Sequence, residues 1–245
     1  MSLTQKPVAN RSLLSKYFMT QPSSNNHQAP IPCRVVVLIS GSGSNLQTLI
    51  DGQQQGMLPI SIEGVISNKL DVYGLQRAEQ AHIPSQVVNH RDYDDRESFD
   101  AALANTINQY QPDLVVLAGF MRILTGDFVR QYQGRMLNIH PSLLPKYQGL
   151  HTHQRAIDAG DTQHGVTVHF VTEELDGGPN VIQAVVPIIS NDTADSLATR
   201  VQTQEHIIYP MAVKWFAAQR LQLKDHQVIF DDEPLPTHGH QIHNN

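Results

Sequence analysis

An amide and an imidazole stand two residues apart in Met136-Leu137-Asn138-Ile139-His140, an apolar run that Pro141 cuts off and that reads as a buried strand. Side chains two apart on a strand share a face, so Leu137 and Ile139 bury one way while Asn138 and His140 point the other. Both polar groups donate hydrogen bonds, and two donors at one strand end suit the oxyanion created when a nucleophile attacks a carbonyl. A hydrogen-bonded pair inside the core is the competing reading of this strand alone. Asp176 lies in the glycine-flanked loop Glu173-Glu174-Leu175-Asp176-Gly177-Gly178-Pro179, which allows its carboxylate to reach His140 without helical constraint. A carboxylate beside an imidazole favours the imidazolium, the better donor, and with water in between it relays protons. As a lone loop acid it is otherwise a turn former or a solvated charge.

Two further places invite a ligand. The turn Gly41-Ser42-Gly43-Ser44-Asn45 has glycines at 41 and 43 that let the backbone approach an anion where Ser44 and Asn45 begin a helix. A dinucleotide fingerprint needs a third glycine where Leu46 stands, and a phosphate loop needs Lys before Ser or Thr, so the signal reaches a mononucleotide at most. Any tight strand-to-helix turn uses the same residues. On the last long helix, Leu197, Val201, Ile208, Ala212 and Trp215 form an apolar stripe with Glu205 inside it. A carboxylate on that side needs a cation, a donor or a ligand amine, and a structural partner competes with the ligand. His151 and His153, with His238, His240 and His243 in the tail, lack the acidic or cysteine ligands of a defined centre. They read as loop or helix-cap residues and an exposed strip, and no metal is expected.

The elements that must position these groups alternate from residue 33 onward: β-branched runs with amphipathic segments. The pattern predicts right-handed βαβ units and an α/β fold with a mainly parallel sheet. Strands are expected over residues 34–40, 60–67, 86–88, 114–118, 136–140, 166–172 and 181–188. Helices are expected from the 41–45 turn to about 54, over 73–81, from Asp94-Asp95-Arg96-Glu97 to before Pro112, between the turn-rich stretch 141–149 and the strand at 166, and over about 193–220. Residues 119–124 read as a loop. There is no internal repeat. The tail over 231–245 is polar, with Pro234 and Pro236, and reads as a surface strip rather than a domain.

Composition bounds the function. The chain of 245 residues suffices for one domain, and a net charge of −6 supplies no broad basic field for nucleic acid. A single cysteine, Cys33, excludes an intramolecular disulfide and a Cys-rich zinc site, and fits a reducing cytoplasm. No apolar run approaches the roughly 20 residues of a membrane helix. Residues 1–31 lack acids, carry Lys6, Arg11 and Lys16, and read as a disordered extension, with a weaker likeness to a transit peptide.

Several segments together are specific: Val-Val-Leu-Ile-Ser-Gly-Ser-Gly-Ser-Asn at 36–45, Leu-Ala-Gly-Phe-Met-Arg-Ile-Leu at 117–124, Leu-Asn-Ile-His-Pro-Ser-Leu-Leu-Pro-Lys-Tyr at 137–147, Glu-Leu-Asp-Gly-Gly-Pro at 174–179 and Gln-Thr-Gln-Glu-His at 202–206. In this order they resemble the phosphoribosylglycinamide formyltransferase family, folate-dependent enzymes of purine synthesis, over roughly residues 33–230. The resemblance implies a Rossmann-like single domain over 32–230, with helices on both sheet faces, and a monomer or weak homodimer. It implies 10-formyltetrahydrofolate as cosubstrate, no metal, and glycinamide ribonucleotide as the amine. Asn138, His140 and Asp176 would be the catalytic trio, with His140 stabilising the oxyanion and protonating the departing folate nitrogen. Gly43, Ser44 and Asn45 would hold the ribonucleotide phosphate, and Gln202, Thr203, Gln204 and Glu205 its glycinamide and ribose end. Met121, Arg122, Ile123 and Leu124 would present backbone groups to the pterin. Thr172, Glu173, Glu174, Leu175 and Asp176 would close over it, and Arg96 would pair with the glutamate tail. Ser42, where Asn is common, and Gln148, where Pro is frequent, depart from the pattern and touch only loop conformation.

Methionyl-tRNA formyltransferases and formyltetrahydrofolate deformylases share the strand ending in His140. The first carry an added C-terminal domain that the residues after about 230 are too few to form, and the second an N-terminal regulatory domain that residues 1–31 cannot supply. Negative charge also argues against tRNA. Leu46 contradicts a nicotinamide dehydrogenase, and a nucleotide-binding module without turnover is the rival from another class.

Overall fold

Every residue of Val35–Ile39 is fully buried, alternating between two cores, as a strand covered on both faces requires. Val35, Val37 and Ile39 face one core; Val36 and Leu38 face the other. The computed structural model describes residues 31–243. The extension expected over 1–31 falls, but for its last residue, outside the described residues.

The strands are β1 (Cys33–Ile39), β2 (Ile60–Ser67), β3 (Ser85–Val87), β4 (Leu114–Leu117), β5 (Met136–His140), β6 (Gln163–Phe170), β7 (Asn180–Pro187) and β11 (His240–His243). They form one eight-stranded sheet in the order β11-β7-β6-β5-β4-β1-β2-β3. All neighbours run parallel except β6, which is antiparallel to both β5 and β7. The helices are α1 (Ser44–Gln54), α2 (Tyr73–Gln80), α3 (Arg96–Asn108), α4 (Gly126–Gln131), α5 (Thr152–Asp158) and α6 (Ala194–Ala217). Residues of α1, α2 and α6 contribute to the first core and those of α3 and α4 to the second, so helices cover both faces. The mainly parallel, helix-flanked α/β sheet expected from the sequence is the one observed.

α6 starts where its cap stands: Thr193 Oγ1 accepts from Ser196 N while Ser196 Oγ accepts from Thr193 N. The short α4 has no counterpart in the sequence reading. Six residues are too few to display a helical period, though Thr125 caps it and Phe128 and Val129 bury.

The polar tail is not the plain surface strip its composition implied. A hairpin of β8 (Leu221–Lys224) and β9 (Gln227–Phe230) is extended by β10 (Glu233–Pro234), and β11 then adds to the main sheet beside β7. An edge strand has one neighbour and needs little apolar alternation. Ile242 alone supplies it here, packing on the core, while Asn180 Nδ2 holds the approach by donating to Thr237 O at 3.0 Å.

Candidate active site

The carboxyl ends of β1, β4 and β5 lie side by side, and the turns that leave them carry most of the chemistry. On β5, Asn138 and His140 project to the same face, opposite Leu137 and Ile139, which join the α6-side core. Because β6 is antiparallel, His169 lies directly across from Asn138, and Thr167 across from His140. The loop after β6 brings in Asp176 at a left-handed φ of 49°, a conformation an Asp tolerates better than most residues.

These side chains form one cluster. Asp176 Oδ2 is 3.4 Å from His140 Nδ1 and accepts from Gly149 N at 2.9 Å, and the two side chains are 9% and 8% exposed. His140 Nε2 donates to Tyr147 O at 2.9 Å. That bond turns the other ring nitrogen, Nδ1, toward the Asp176 carboxylate.

His169 was missed by the sequence reading. It is fully buried, and burial pushes its imidazole down to about 4, against the opposing pull of the Phe170 carbonyl and Asp176. The ring is therefore neutral at pH 7. Its Nδ1 donates to Phe170 O at 2.9 Å, which leaves Nε2 as an acceptor for Asn138 Nδ2 at 3.2 Å. That bond orients the Asn138 amide and commits one of its two N–H groups, leaving the other as a donor. The 3.9 Å approach of Asp176 Oδ1 to His169 is thus between a carboxylate and a neutral ring. The available signal was the polar alternation of Thr167 and His169 inside an otherwise apolar strand.

The turn after β1 requires its glycine. Gly43 has φ 68°, and a Cβ there would lie 2.7 Å from Gly74 Cα. Asn45 Nδ2 donates to Glu205 Oε2 at 2.8 Å, and Gln202 Nε2 to Ser44 Oγ at 3.4 Å, so Gln202 and Glu205, three apart on α6, both reach the turn. Burial pushes the Glu205 carboxyl up, opposed by the Asn45 bond. Thr203 is exposed and turns back to Thr199 O, while Gln204 is buried with Oε1 lacking a hydrogen-bond partner. Arg77, also missed from sequence, sits against the turn: its Nε donates to Ser42 O and its Nη1 to Gln47 Oε1, each at 2.8 Å. One turn after Glu205, the buried Tyr209 hydroxyl lies 2.9 Å from Leu117 O and 3.0 Å from Leu137 O, tying α6 to the adjacent β4 and β5.

The loop after β4 is held at both ends. Met121 N donates to Ser40 Oγ at 2.8 Å, and Thr125 N to Asp100 Oδ2 at 2.6 Å. Met121 and Ile123 are exposed, Leu124 packs on the α3-side core, and the Arg122 guanidinium lies 5.5 Å from the Phe99 ring centre. Arg96 is exposed at the first turn of α3. Glu173 pairs with Arg130, and Leu175 is exposed. A cavity of about 800 Å³ is lined by Thr172, Glu173, Glu174 and Asp176 together with Val129, Val171 and residues of the C-terminal hairpin; Asn138, His140 and residues 121–124 are not among its walls.

Among the described residues no group of three His, Cys, Asp or Glu is placed to hold a metal, and no helix is long and apolar enough to cross a membrane. His151 is the residue before α5, in left-handed conformation, and His153 pairs with His164. What the cluster offers is donors for an anion beside a proton acceptor, at the sheet edge that also carries the anion-suited backbone of the 43–45 turn.

Comparison with known proteins gives the same outline. The formyl transferase family model matches residues 33–213. Phosphoribosylglycinamide formyltransferase of Escherichia coli is 52% identical over 84% of this chain and 97% of its own, and that of Haemophilus influenzae 50% identical over 84% and 98%. The structure of phosphoribosylglycinamide formyltransferase from Coxiella burnetii superposes with a TM-score of 0.83 at 53% identity, covering 86% of this chain and 99% of that one. The chain belongs to the formyl transferase family.

Proposed function

We propose that this chain transfers the formyl group of 10-formyltetrahydrofolate to the amine of glycinamide ribonucleotide. The observation that carries the reading is the His140–Asp176–Asn138 cluster, in which an imidazole and an amide N–H stand beside a carboxylate at a strand edge shared with a glycine turn and a second loop. The amine nitrogen attacks the formyl carbon, and the carbonyl electron pair moves to oxygen. The second N–H of Asn138 and the protonated Nδ1 of His140 donate to that oxyanion, while His140 Nε2 stays on Tyr147 O. Collapse expels the folate nitrogen, and one proton passes overall from the attacking amine to the departing nitrogen, delivered by His140 and accepted, through water, by Asp176.

Gly43, Ser44 and Asn45, with the Arg77 guanidinium beside them, are assigned to the phosphate. Glu205, with Gln202, is assigned to the glycinamide and ribose end, where a ligand amine would answer its raised carboxyl. The backbone of Met121–Leu124 and the loop Thr172–Asp176 are assigned to the pterin, and Arg96 to the glutamate tail. Similarity to relatives named phosphoribosylglycinamide formyltransferase supports the choice of substrates.

The test is to incubate the protein with both substrates and follow deformylated folate with and without the amine. Release that requires the amine, with formylated ribonucleotide as product, is expected. Amine-independent formate release would instead identify a deformylase, and binding without release a non-catalytic module.

A further inference from the structure

A single row of polar side chains crosses four strands to reach His140. His140 on β5 is in register with Thr167 on β6, Thr167 with Gln183 on β7, and Gln183 with Gln241 on β11. Register partners on neighbouring strands project to the same face, so the four form one rung from the sheet's edge to the imidazole. Thr167 and Gln183 are 0% and 2% exposed, and buried polar groups of this kind are costly unless bonded.

The bonds run in one connected sequence. Gln241 Nε2 donates to Gln183 Oε1 at 2.9 Å. Gln183 Nε2 donates to Leu144 O at 2.8 Å and to Thr167 Oγ1 at 3.1 Å. Thr167 Oγ1 donates to Ser142 O at 2.6 Å and accepts from Leu144 N at 3.1 Å. Ser142 Oγ continues to Lys146 O at 2.7 Å. Three backbone groups of the turn after β5 are thus gripped by the rung, and the next carbonyl along, Tyr147 O, is the one that accepts from His140 Nε2. Turning the Gln183 amide over would set its oxygen against the Leu144 carbonyl, so the rung has one bonded arrangement.

We propose that Gln183 and Gln241 are positioning residues for His140, and that the C-terminal strand β11 is thereby part of the apparatus that aims the imidazole. Gln241 lies beyond residues 33–213, the span matched by the family model. Its side chain touches no reacting atom; it acts through Gln183 and the 142–147 turn.

The rate consequence rests on the proposed formyl transfer, whereas the orientation of the ring does not, and the experiment separates them. The full chain is compared with Gln241→Leu, at the sheet edge, and Gln183→Met, which keeps volume but cannot grip Leu144. Nitrogen-15 spectra of selectively labelled histidine report the His140 Nε2–H bond, and steady-state kinetics report kcat and both KM values. A shifted His140 resonance is expected in both variants. For Gln241→Leu, kcat should fall about fivefold, the rate equivalent of one net hydrogen bond, with each KM within about twofold of wild type. Mere loosening of the tail would leave the His140 resonance in place. An unmoved resonance, or a moved one with wild-type kcat, overturns the proposal. Should Gln183→Met fail to fold, the edge variant decides by itself. Should the wild type transfer no formyl group, the proposed function falls, and the resonance still decides whether the rung aims the ring.

Discussion

Acidification should weaken this protein at an identifiable pair of rings. His164, at the start of β6, and His153, on α5, meet edge to face with ring centres 5.1 Å apart and His164 Nε2 3.1 Å from His153 Nδ1. One proton lies between two facing nitrogens, so a second would set two N–H groups against each other. Burial, then the neighbouring His153, pushes His164 down to about 4, with the Pro141 carbonyl and Asp161 pulling the other way and His140 adding to the fall. His153 is lowered too, by burial and then by His140. In the unfolded chain the ring titrates near 6.5, so between about 4 and 6.5 the unfolded state binds more protons and stability rises with pH. The stabilisation is complete above 6.5 and lost as pH falls toward about 4. At about 1.4 kcal/mol per pH unit the whole span is worth about 3 kcal/mol, of which about 2 kcal/mol is gone by pH 5. With His164 1% exposed, solvent screening does not reduce this. Urea unfolding at pH 7.5 and pH 5, on wild type and His164→Gln, measures it. Wild type should lose about 2 kcal/mol more than the variant between the two conditions. His169 is present in both proteins, so its own acid sensitivity cancels. Equal losses would refute the reasoning.

Replacing His140 by Ala or Asp176 by Asn should lower kcat by roughly a hundredfold or more with modest change in KM, since each removes a group used mainly in the transition state; stopped assays at saturating substrates check this, and wild-type turnover in either would remove that residue from the trio. Glu205→Ala should raise the KM for the ribonucleotide about tenfold, the effect of one charge-assisted bond. An unchanged KM returns Glu205 to a structural role with Asn45. Gly43→Ala combines a φ of 68° with a Cβ 2.7 Å from Gly74 Cα, and should cost about 1–2 kcal/mol of stability while weakening ribonucleotide binding. Thermal melts with and without the nucleotide separate the two effects.

What could be read from the sequence was what local chemistry enforces. Met136–His140 has the same limits in both views because its apolar alternation starts cleanly and Pro141 stops it. The 193 start of α6 follows from a Thr cap, and the need of Glu205 for a partner from a carboxylate set inside an apolar stripe; that the partner is Asn45 appears only in the fold. What stayed hidden depends on long-range pairing. Arg77 is an ordinary helix arginine until α2 packs beside the Gly43 turn. Among Gln202–Glu205, four consecutive helix positions cannot all face one ligand, and the structure turns Gln202 and Glu205 to the glycine turn while Thr203 points to solvent. β11 escaped notice because an outermost strand, bonded on one side only, can be built from His, Gln and a single Ile.

The direction of β6 is the decisive feature that no local signal announces. A parallel β6 would enter beside β5 from the same end, after a crossover over one face, and its outgoing loop would leave at the carboxyl edge. Reversed, β6 lays His169 and Thr167 directly across from Asn138 and His140 and leaves the sheet near Met136, where Val171 N bonds Met136 O. The chain must then return to begin β7 at Asn180, in register with His169. It does so through Thr172–Pro179, a segment that carries Asp176 back to His140 and whose Gly178 lies so close to Phe170 that a Cβ would meet its carbonyl oxygen at 1.8 Å. The left-handed φ of Asp176 belongs to the same tight return. One reversed strand therefore supplies the His169 that orients the Asn138 amide, the Thr167 that grips the following turn, and the path by which a carboxylate reaches the imidazole from the far end of the strand pair.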